Sequence, residues 1–295
     1  MAREESPFGR VLSDFATDPG ALLGLVLLAV IAVAALAAPL ISPQNPYDLA
    51  QLDIMDGRLP PGSKSGTGTT FWLGTDDQGR DMLSAIFYGL RISLAVGVTS
   101  TVIALAFGLV LGLTAAYFGD RTEAVIMRIA DIQLSFPAIL IALILLAVLG
   151  QGTLKIILAL VTVQWAYYAR TVRSAALVEK RKEYVEAARG LALSPLRIVF
   201  RHILPNCLPP LIVVATVQVA AAIALEATLS FLGLGLPITE PSLGLLIANG
   251  YQYLLSGKYW ISFFPGVALL GAIVSINLVA DRLRDVLNPH LASLP

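Results

Sequence analysis

A chain of 295 residues that is 57% hydrophobic and 14% charged departs from the roughly 45–50% and about 25% of ordinary soluble domains, which argues against a soluble enzyme. Its 20 Lys and Arg cancel its 20 Asp and Glu, so the charge total does not favour nucleic acid as a partner. One cysteine, Cys207, and two distant histidines, His202 and His290, exclude an internal disulfide and a His-rich metal site.

Residues 1–20 are expected to form a cytoplasmic arm. Residues 21–41 follow without a charge, and a helix needs about 20 apolar residues at about 1.5 Å each to cross hydrocarbon. Ala35 and Ala37 mimic a signal-peptide cleavage site, but an h-region is only about 7–15 residues long, so a retained anchor is expected. Residues 42–90 form an outer loop, rich in proline and glycine at Pro60, Pro61, Gly62, Gly66 and Gly68. Thr75 with Gln78 predicts a capping box, and residues 81–93 a helix leading into the second span. Gly57, Gly62, Lys64 and Ser65 come within one residue of a phosphate-binding loop. They lie outside the cell and follow no strand, so no nucleotide site and no ATP hydrolysis by this chain are expected.

Further spans are predicted at residues 93–117, 132–149, 154–168, 208–228 and 261–279, six in all. The fourth is short and needs help from its flanks or from neighbouring helices. Gly108, Gly112 and Ala116 in the second span have the spacing that lets helix backbones approach closely. Asp131 and Asp281 fall near the cytoplasmic border, solvated or paired. Gln164, Gln218 and Asn277 are polar at membrane depth, where interhelical hydrogen bonding is the commoner role. Glu226 in the fifth span, some 27 Å above Leu208 at about 1.5 Å per residue, is expected near the outer end, where water reaches it. It packs helices there or lines a substrate path. The outer loop at 233–259 carries the breakers Gly233, Gly235 and Pro237 and is expected to re-enter or to cover a pore mouth. No serine, histidine and carboxylate converge on one face, so no catalytic residue is assigned.

With the N-terminus inside, 14 Lys and Arg fall on the cytoplasmic side and six outside, which places both termini in the cytoplasm. Eight of them lie between Arg170 and Arg201. In the loop at 177–206, residues 178–189 predict a charged helix. Ser194 and Pro195 then start a second helix, a hydroxyl cap followed by proline at the first position. Leu196, Val199, Phe200, Ile203 and Leu204 recur at helical spacing as one apolar stripe, and Pro205 ends it. The pattern suits an interfacial helix pair anchored in the headgroups and equally a docking surface for a soluble partner.

Glu186-Ala187-Ala188, followed by His202-Ile203-Leu204-Pro205, resembles the EAA loop of ABC-importer permeases. The glycine of that family's loop, six residues after the Glu, falls on Ala192, while Gly190 stands two residues earlier. Four further strings extend the likeness: Gly74-Thr75-Asp76-Asp77-Gln78-Gly79-Arg80-Asp81, Tyr117-Phe118-Gly119, Leu134-Ser135-Phe136-Pro137 and Leu229-Ser230-Phe231-Leu232-Gly233-Leu234-Gly235. With Tyr184 and Val185 before the EAA triplet, they resemble the C-type permease subunit of dipeptide, oligopeptide and nickel ABC importers, from about residue 70 to 290.

The resemblance implies an all-α polytopic membrane protein of the type I ABC importer permease fold, with a core at 91–281 and a cytoplasmic tail at 282–295. It implies that Glu186, Ala187, Ala188, Gly190, Ser194, Pro195, Phe200, His202, Leu204 and Pro205 couple to an ATPase. Glu226, Gln218 and Gln164 are weaker candidates for the substrate pathway. The implied partners are a B-type permease, two cytosolic P-loop ATPases that hold the ATP and magnesium, an extracytoplasmic peptide-binding protein and membrane lipid. The expected place is the inner membrane of a prokaryote, and the expected cargo is a small peptide. A nickel or glutathione-type importer is the alternative within the family, and an ion-gradient-driven secondary carrier the alternative outside it.

Overall fold

The computed structural model describes residues 7–66 and 68–287, so Arg3 and His290 lie outside the described residues. The order is α1 (Pro7–Ala16), α2 (Pro19–Ile41), a hairpin of β1 (Ser63–Lys64) and β2 (Thr70–Phe71), then α3 (Met82–Phe118), α4 (Asp120–Leu134), α5 (Ala138–Leu149) and α6 (Thr153–Glu179). After these come α7 (Glu183–Gly190), α8 (Pro195–Ile198), a π turn at Val199–Ile203, α9 (Leu204–Phe231), α10 (Leu243–Tyr251) and α11 (Trp260–Leu287).

Four helical runs among the described residues are long and apolar enough to cross a membrane: Pro19–Ile41, Met82–Phe118, Pro195–Phe231 and Trp260–Leu287. The predicted third span at 132–149 is not one straight helix. Pro137 lacks the amide that would continue the ladder, and α4 and α5 meet there at 89°. The 12 helical residues of α5 reach about 18 Å, short of the roughly 30 Å of hydrocarbon. The fourth expected span is instead longer than predicted, because α6 has 27 residues, though Lys155, Gln164, Arg170 and Arg173 interrupt its apolar run.

Asp18 caps α2 by accepting the Gly20 amide at 2.7 Å, with Pro19 in the first turn. The predicted capping box at Thr75 does not form. Thr75 Oγ1 accepts the Leu59 amide and donates to the Asp56 carbonyl, while Asp81 is the cap, its carboxylate accepting the Ser84 amide at 2.8 Å. The helix then runs unbroken for 37 residues. Pro205 does not end a helix either. It sits in the first turn of α9, where its missing N–H costs nothing.

The most extensive helix pair is α3 with α6. A Cβ at Gly108 would lie 2.5 Å from Tyr168 Cβ, and one at Gly112 would lie 2.6 Å from the Ala169 carbonyl oxygen. The predicted small-residue stripe therefore closes a contact inside this chain. The core beneath continues through Tyr168, Val172, Cys207 and Leu211 to Val185, Ala188, Ile198, Val199 and Ile203, which ties the loop at 177–206 to the helices it joins.

The segment at 233–259 folds back as α10 into a notch between three helices. Leu243 packs on Gly89 of α3, a Cβ at Gly244 would meet the Ala227 carbonyl of α9 at 2.1 Å, and one at Gly250 would meet Ser262 of α11 at 2.4 Å.

Candidate functional site

The predicted helix at 178–189 is two helices. Val178 and Glu179 finish α6, residues 180–182 turn, and α7 starts at Glu183. The turn is fixed by Lys180, whose ammonium donates to the Ala116 and Tyr117 carbonyls at 2.9 and 3.0 Å. A cation at the end of α3 satisfies carbonyls that have no helical donor.

Residues 191–194 then turn the chain into α8. Ala192 holds φ at 51°, so this alanine adopts the left-handed conformation that glycine takes at least cost. Gly190 has no positive φ and no neighbour within 4 Å of a would-be Cβ. The turn keeps a geometry suited to glycine at 192 without the glycine.

The predicted single apolar stripe divides in two. Val199 and Ile203, with Ile198, Val185 and Ala188, are buried, whereas Leu196, Phe200 and Leu191 are exposed. The inward set pins the elbow, and the outward set is an apolar surface that this chain leaves uncovered. Glu186, Ala187, Gly190, Ser194, Pro195 and Pro205 are exposed on the same elbow, with His202 and Leu204 half-buried and Ala188 beneath. Among the described residues, Glu186 makes no ion pair, nor do Arg181, Arg189, Arg197 and Arg201. The arrangement sets the Glu186 carboxylate and four guanidinium groups on the same elbow as exposed leucine and phenylalanine, a surface suited to protein docking.

A polar cluster behind this face escaped the sequence reading. The Tyr184 hydroxyl donates to the Glu179 carboxylate and accepts from Asn206 Nδ2 at 3.1 Å. Asn206 Nδ2 also donates to the His202 carbonyl at 2.8 Å, and Lys182 Nζ to Glu179 at 2.6 Å. Desolvation, then the hydrogen bond and charge of Glu179, push the Tyr184 hydroxyl up to about 12. Nothing in its periodicity marks Tyr184. Only its place beside the Glu186 triplet could have drawn notice.

Of the pathway candidates, Gln164 is brought to Gln218, while Glu226 is bonded elsewhere. Glu226 is corrected from a water-reached position to full burial, 0% exposed, where it accepts from Ser93 of α3 at 2.9 Å and from Ser230 at 2.8 Å. That geometry joins α3 to α9. Gln164 is also buried, with Nε2 donating to the Gln218 carbonyl at 3.0 Å and Oε1 unpartnered. Gln218 alone lines an open cavity of about 610 Å³, with Thr171, Pro210, Val214, Val217 and Arg284. Asp131 is paired with Arg170, and Glu123 with Arg173, which ties α4 to α6. Among the described residues no cluster of His, Cys, Asp and Glu could hold a metal.

The string at 74–81 builds a second polar cluster at the opposite end of α3. Arg80, 1% exposed, pairs with the buried Asp76 at 2.6 Å and donates to the Ile238 carbonyl at 3.2 Å. Trp260 Nε1 donates to the Thr75 carbonyl at 3.2 Å, and the Gln44 side chain accepts the Asp81 amide at 2.7 Å. Gly79 has φ of 78° and its missing Cβ would lie 2.1 Å from the Asp53 carbonyl oxygen, so only glycine fits. Both outer loops and the starts of α3 and α11 are thereby fastened together.

Residues 108–293 match the family described as binding-protein-dependent transport system inner membrane component, and residues 6–61 match the N-terminal TM domain of oligopeptide transport permease C. The chain is 38% identical over 286 residues to the di/tripeptide transport system permease protein DppC of Pseudomonas aeruginosa, covering 97% of this chain and 93% of that one. It is 36% identical to the dipeptide transport system permease protein DppC of Haemophilus influenzae, over 94% and 92%. It is 35% identical to the oligopeptide transport system permease protein OppC of Bacillus subtilis, over 94% and 88%. An inward-facing structure of the MetNI methionine ABC transporter superimposes with a TM-score of 0.57 at 22% identity, covering 70% of this chain and 98% of that one. The fold is thus that of a type I ABC permease.

Proposed function

Because the chain belongs to the family of binding-protein-dependent transport system inner membrane components, we propose that it is the C-type permease subunit of an ATP-driven importer of small peptides. It forms half of the translocation pathway beside a B-type permease and works by alternating access in the inner membrane of a prokaryote. It crosses six times, with the α4–α5 pair as a broken third span and α6 as the fourth, and both termini are cytoplasmic. Residues 1–20 form the inner arm, 21–41 the first crossing, 42–90 the outer loop, 91–281 the core and 282–295 the tail. Two cytosolic ATPases hold the ATP and magnesium, and an extracytoplasmic peptide-binding protein delivers the cargo. Dipeptide and oligopeptide permeases at 35–38% identity over nearly the whole chain support the peptide class.

The observation that carries the reading is the elbow, where Glu186 without an ionic partner is set beside exposed Leu191, Leu196 and Phe200. Glu186, Ala187, Gly190, Ser194, Pro195 and Phe200 form its outer face, with Ala188, His202, Leu204 and Pro205 supporting it. An ATPase gripping this face in two conformations would bias two states of the spans, because coupling requires a differential contact in each. Gln218 faces the cavity between α6, α9 and α11 and lies on the path. Gln164 holds it by its carbonyl, and Glu226 steadies the helices around it.

Glu186→Lys tests this. ATP-dependent uptake of labelled dipeptide into vesicles is expected to fall by about tenfold or more, the scale of a lost site-to-site coupling. Native purification and mass spectrometry should show either lost ATPase or ATPase bound but uncoupled. Full uptake by the variant would remove the elbow from the mechanism.

A further inference from the structure

The elbow is joined to α9 by a weak stretch of helix. The Leu204 amide donates to Val199, five residues back, in place of the usual four, which is the pattern of a π turn and often marks a place where helices adjust. Pro209 and Pro210 follow inside α9, and each removes a donor from the ladder. A push on α7 and α8 would be absorbed there unless another connection bypassed the weak stretch. Beside the buried apolar packing of the elbow, a polar connection does. Tyr184 of α7 reaches Glu179 at the end of α6 and Asn206 in the first turn of α9, and Asn206 turns back to the His202 carbonyl inside the π turn. The hydroxyl has one proton. It goes to Glu179, because a bond to a carboxylate is the stronger one, and the His202 carbonyl takes its proton from Asn206. Glu179 is 8% exposed, so the acceptor is fixed in the fold, while Tyr184 and Asn206 sit at the surface.

We propose that Tyr184, Glu179 and Asn206 form a latch that locks the elbow to α6 and α9, so that its movement reaches both helices instead of being lost in the π turn. The inference rests on the permease reading and names Tyr184 as a positioning residue within it. The latch touches no exposed docking residue, so breaking it leaves the ATPase bound and hydrolysing but weakens transmission. Tyr184→Phe removes only the hydroxyl from a ring that lies beside His202, 6.4 Å between centroids, and so separates the hydrogen bonds from the packing.

The test uses the complex purified through this chain with its ATPases and placed in lipid nanodiscs. Glu183 and Leu208, both exposed, are replaced by spin-labelled cysteines in a Cys207→Ser background, and distances are read without nucleotide and after trapping with Mg-ATP and vanadate. The latched chain should show one narrow distance in both states. Tyr184→Phe should add a second population on trapping, at unchanged ATPase content and hydrolysis. In liposomes with the binding protein, its ATP hydrolysed per labelled alanyl-alanine taken up should rise by about fivefold or more, the low end of a site-to-site coupling. Glu179→Gln, whose amide oxygen still accepts the hydroxyl, should lie between. A distance that stays single and narrow in Tyr184→Phe would overturn the latch, as would a Glu179→Gln chain indistinguishable from Tyr184→Phe. ATPases that fail to co-elute with the wild-type chain would overturn the permease reading itself and the latch with it.

Discussion

The two ends of α3 are fastened by different chemistry. At its start, Asp76 and Arg80 are paired inside protein, Gly74 and Gly79 let backbone pass within contact distance of backbone, and Trp260, Gln44 and Ile238 bring in three other segments. Beyond its end, Lys180 caps the helix, and the elbow that follows is held by one buried apolar strip and by a cluster in which Tyr184, Asn206 and Lys182 are exposed and Glu179 is buried. A buried charge pair resists displacement because separating it leaves an ion in low dielectric. An exposed hydrogen bond exchanges with water at little net cost. The start of α3 is therefore the more rigidly fastened end, and the elbow beyond its other end is the more easily displaced.

The largest effect should come from breaking the more rigidly fastened end. Arg80→Ala leaves Asp76 buried without its counter-ion, which costs about 3–5 kcal/mol in comparable pairs. Thermal unfolding of the detergent-purified chain should show a strong loss. Replacing both partners, Asp76→Leu with Arg80→Met, should recover much of it, because no lone charge remains. A double variant as unstable as the single one would show that the Ile238 and backbone bonds, and not the ion pair, hold the loops together.

Glu226→Ala comes next and asks whether the outer half behaves as a unit. It removes the acceptor shared by Ser93 and Ser230 and should cost about 1–3 kcal/mol, the penalty of buried donors left without partners. Glu226→Gln keeps an acceptor and should cost less. Equal losses in the two variants, read by the same unfolding measurement, would mean that the carboxylate's charge matters more than its bridging.

How much of this was legible in the sequence follows from which signals are periodic. The apolar runs of α2, α3, α9 and α11 were visible because each residue adds to one hydropathy sum. The break at Pro137 was missed because a proline allows a kink without fixing its angle, and the extra length of α6 was hidden by the charges that thread it. The Gly108 stripe announced a close approach, and only coordinates show that its partner is α6. The elbow was found through the Glu186 triplet and the Ser194-Pro195 start, yet its inner and outer faces were confused, since the π turn shifts the register by one residue between Leu196 and Ile203. The latch was illegible for a simpler reason. Glu179, Tyr184 and Asn206 sit at spacings that match no helical period, and the turn at Lys180 is what brings them together.

The smallest expected effect is also the one that separates sequence likeness from geometry. Ala192 occupies a left-handed conformation, φ 51°, at the position where the resembling permeases carry glycine. A non-glycine residue there costs about 1–2 kcal/mol, whereas adding a glycine costs roughly 0.4–1 kcal/mol through the freer unfolded chain. Ala192→Gly should therefore stabilise the elbow by up to about 1.6 kcal/mol, seen as slower exchange of the Leu193 amide, which donates to the Ala188 carbonyl at 3.2 Å. Gly190→Ala, at a helical position with open space around it, should stabilise α7 by a similar amount through helix propensity. If Gly190→Ala instead loosened the turn while Ala192→Gly changed nothing, the functional glycine of this loop would be residue 190. The opposite result keeps the turn's geometry with position 192 and leaves its rigidity as the only feature that the alanine alters.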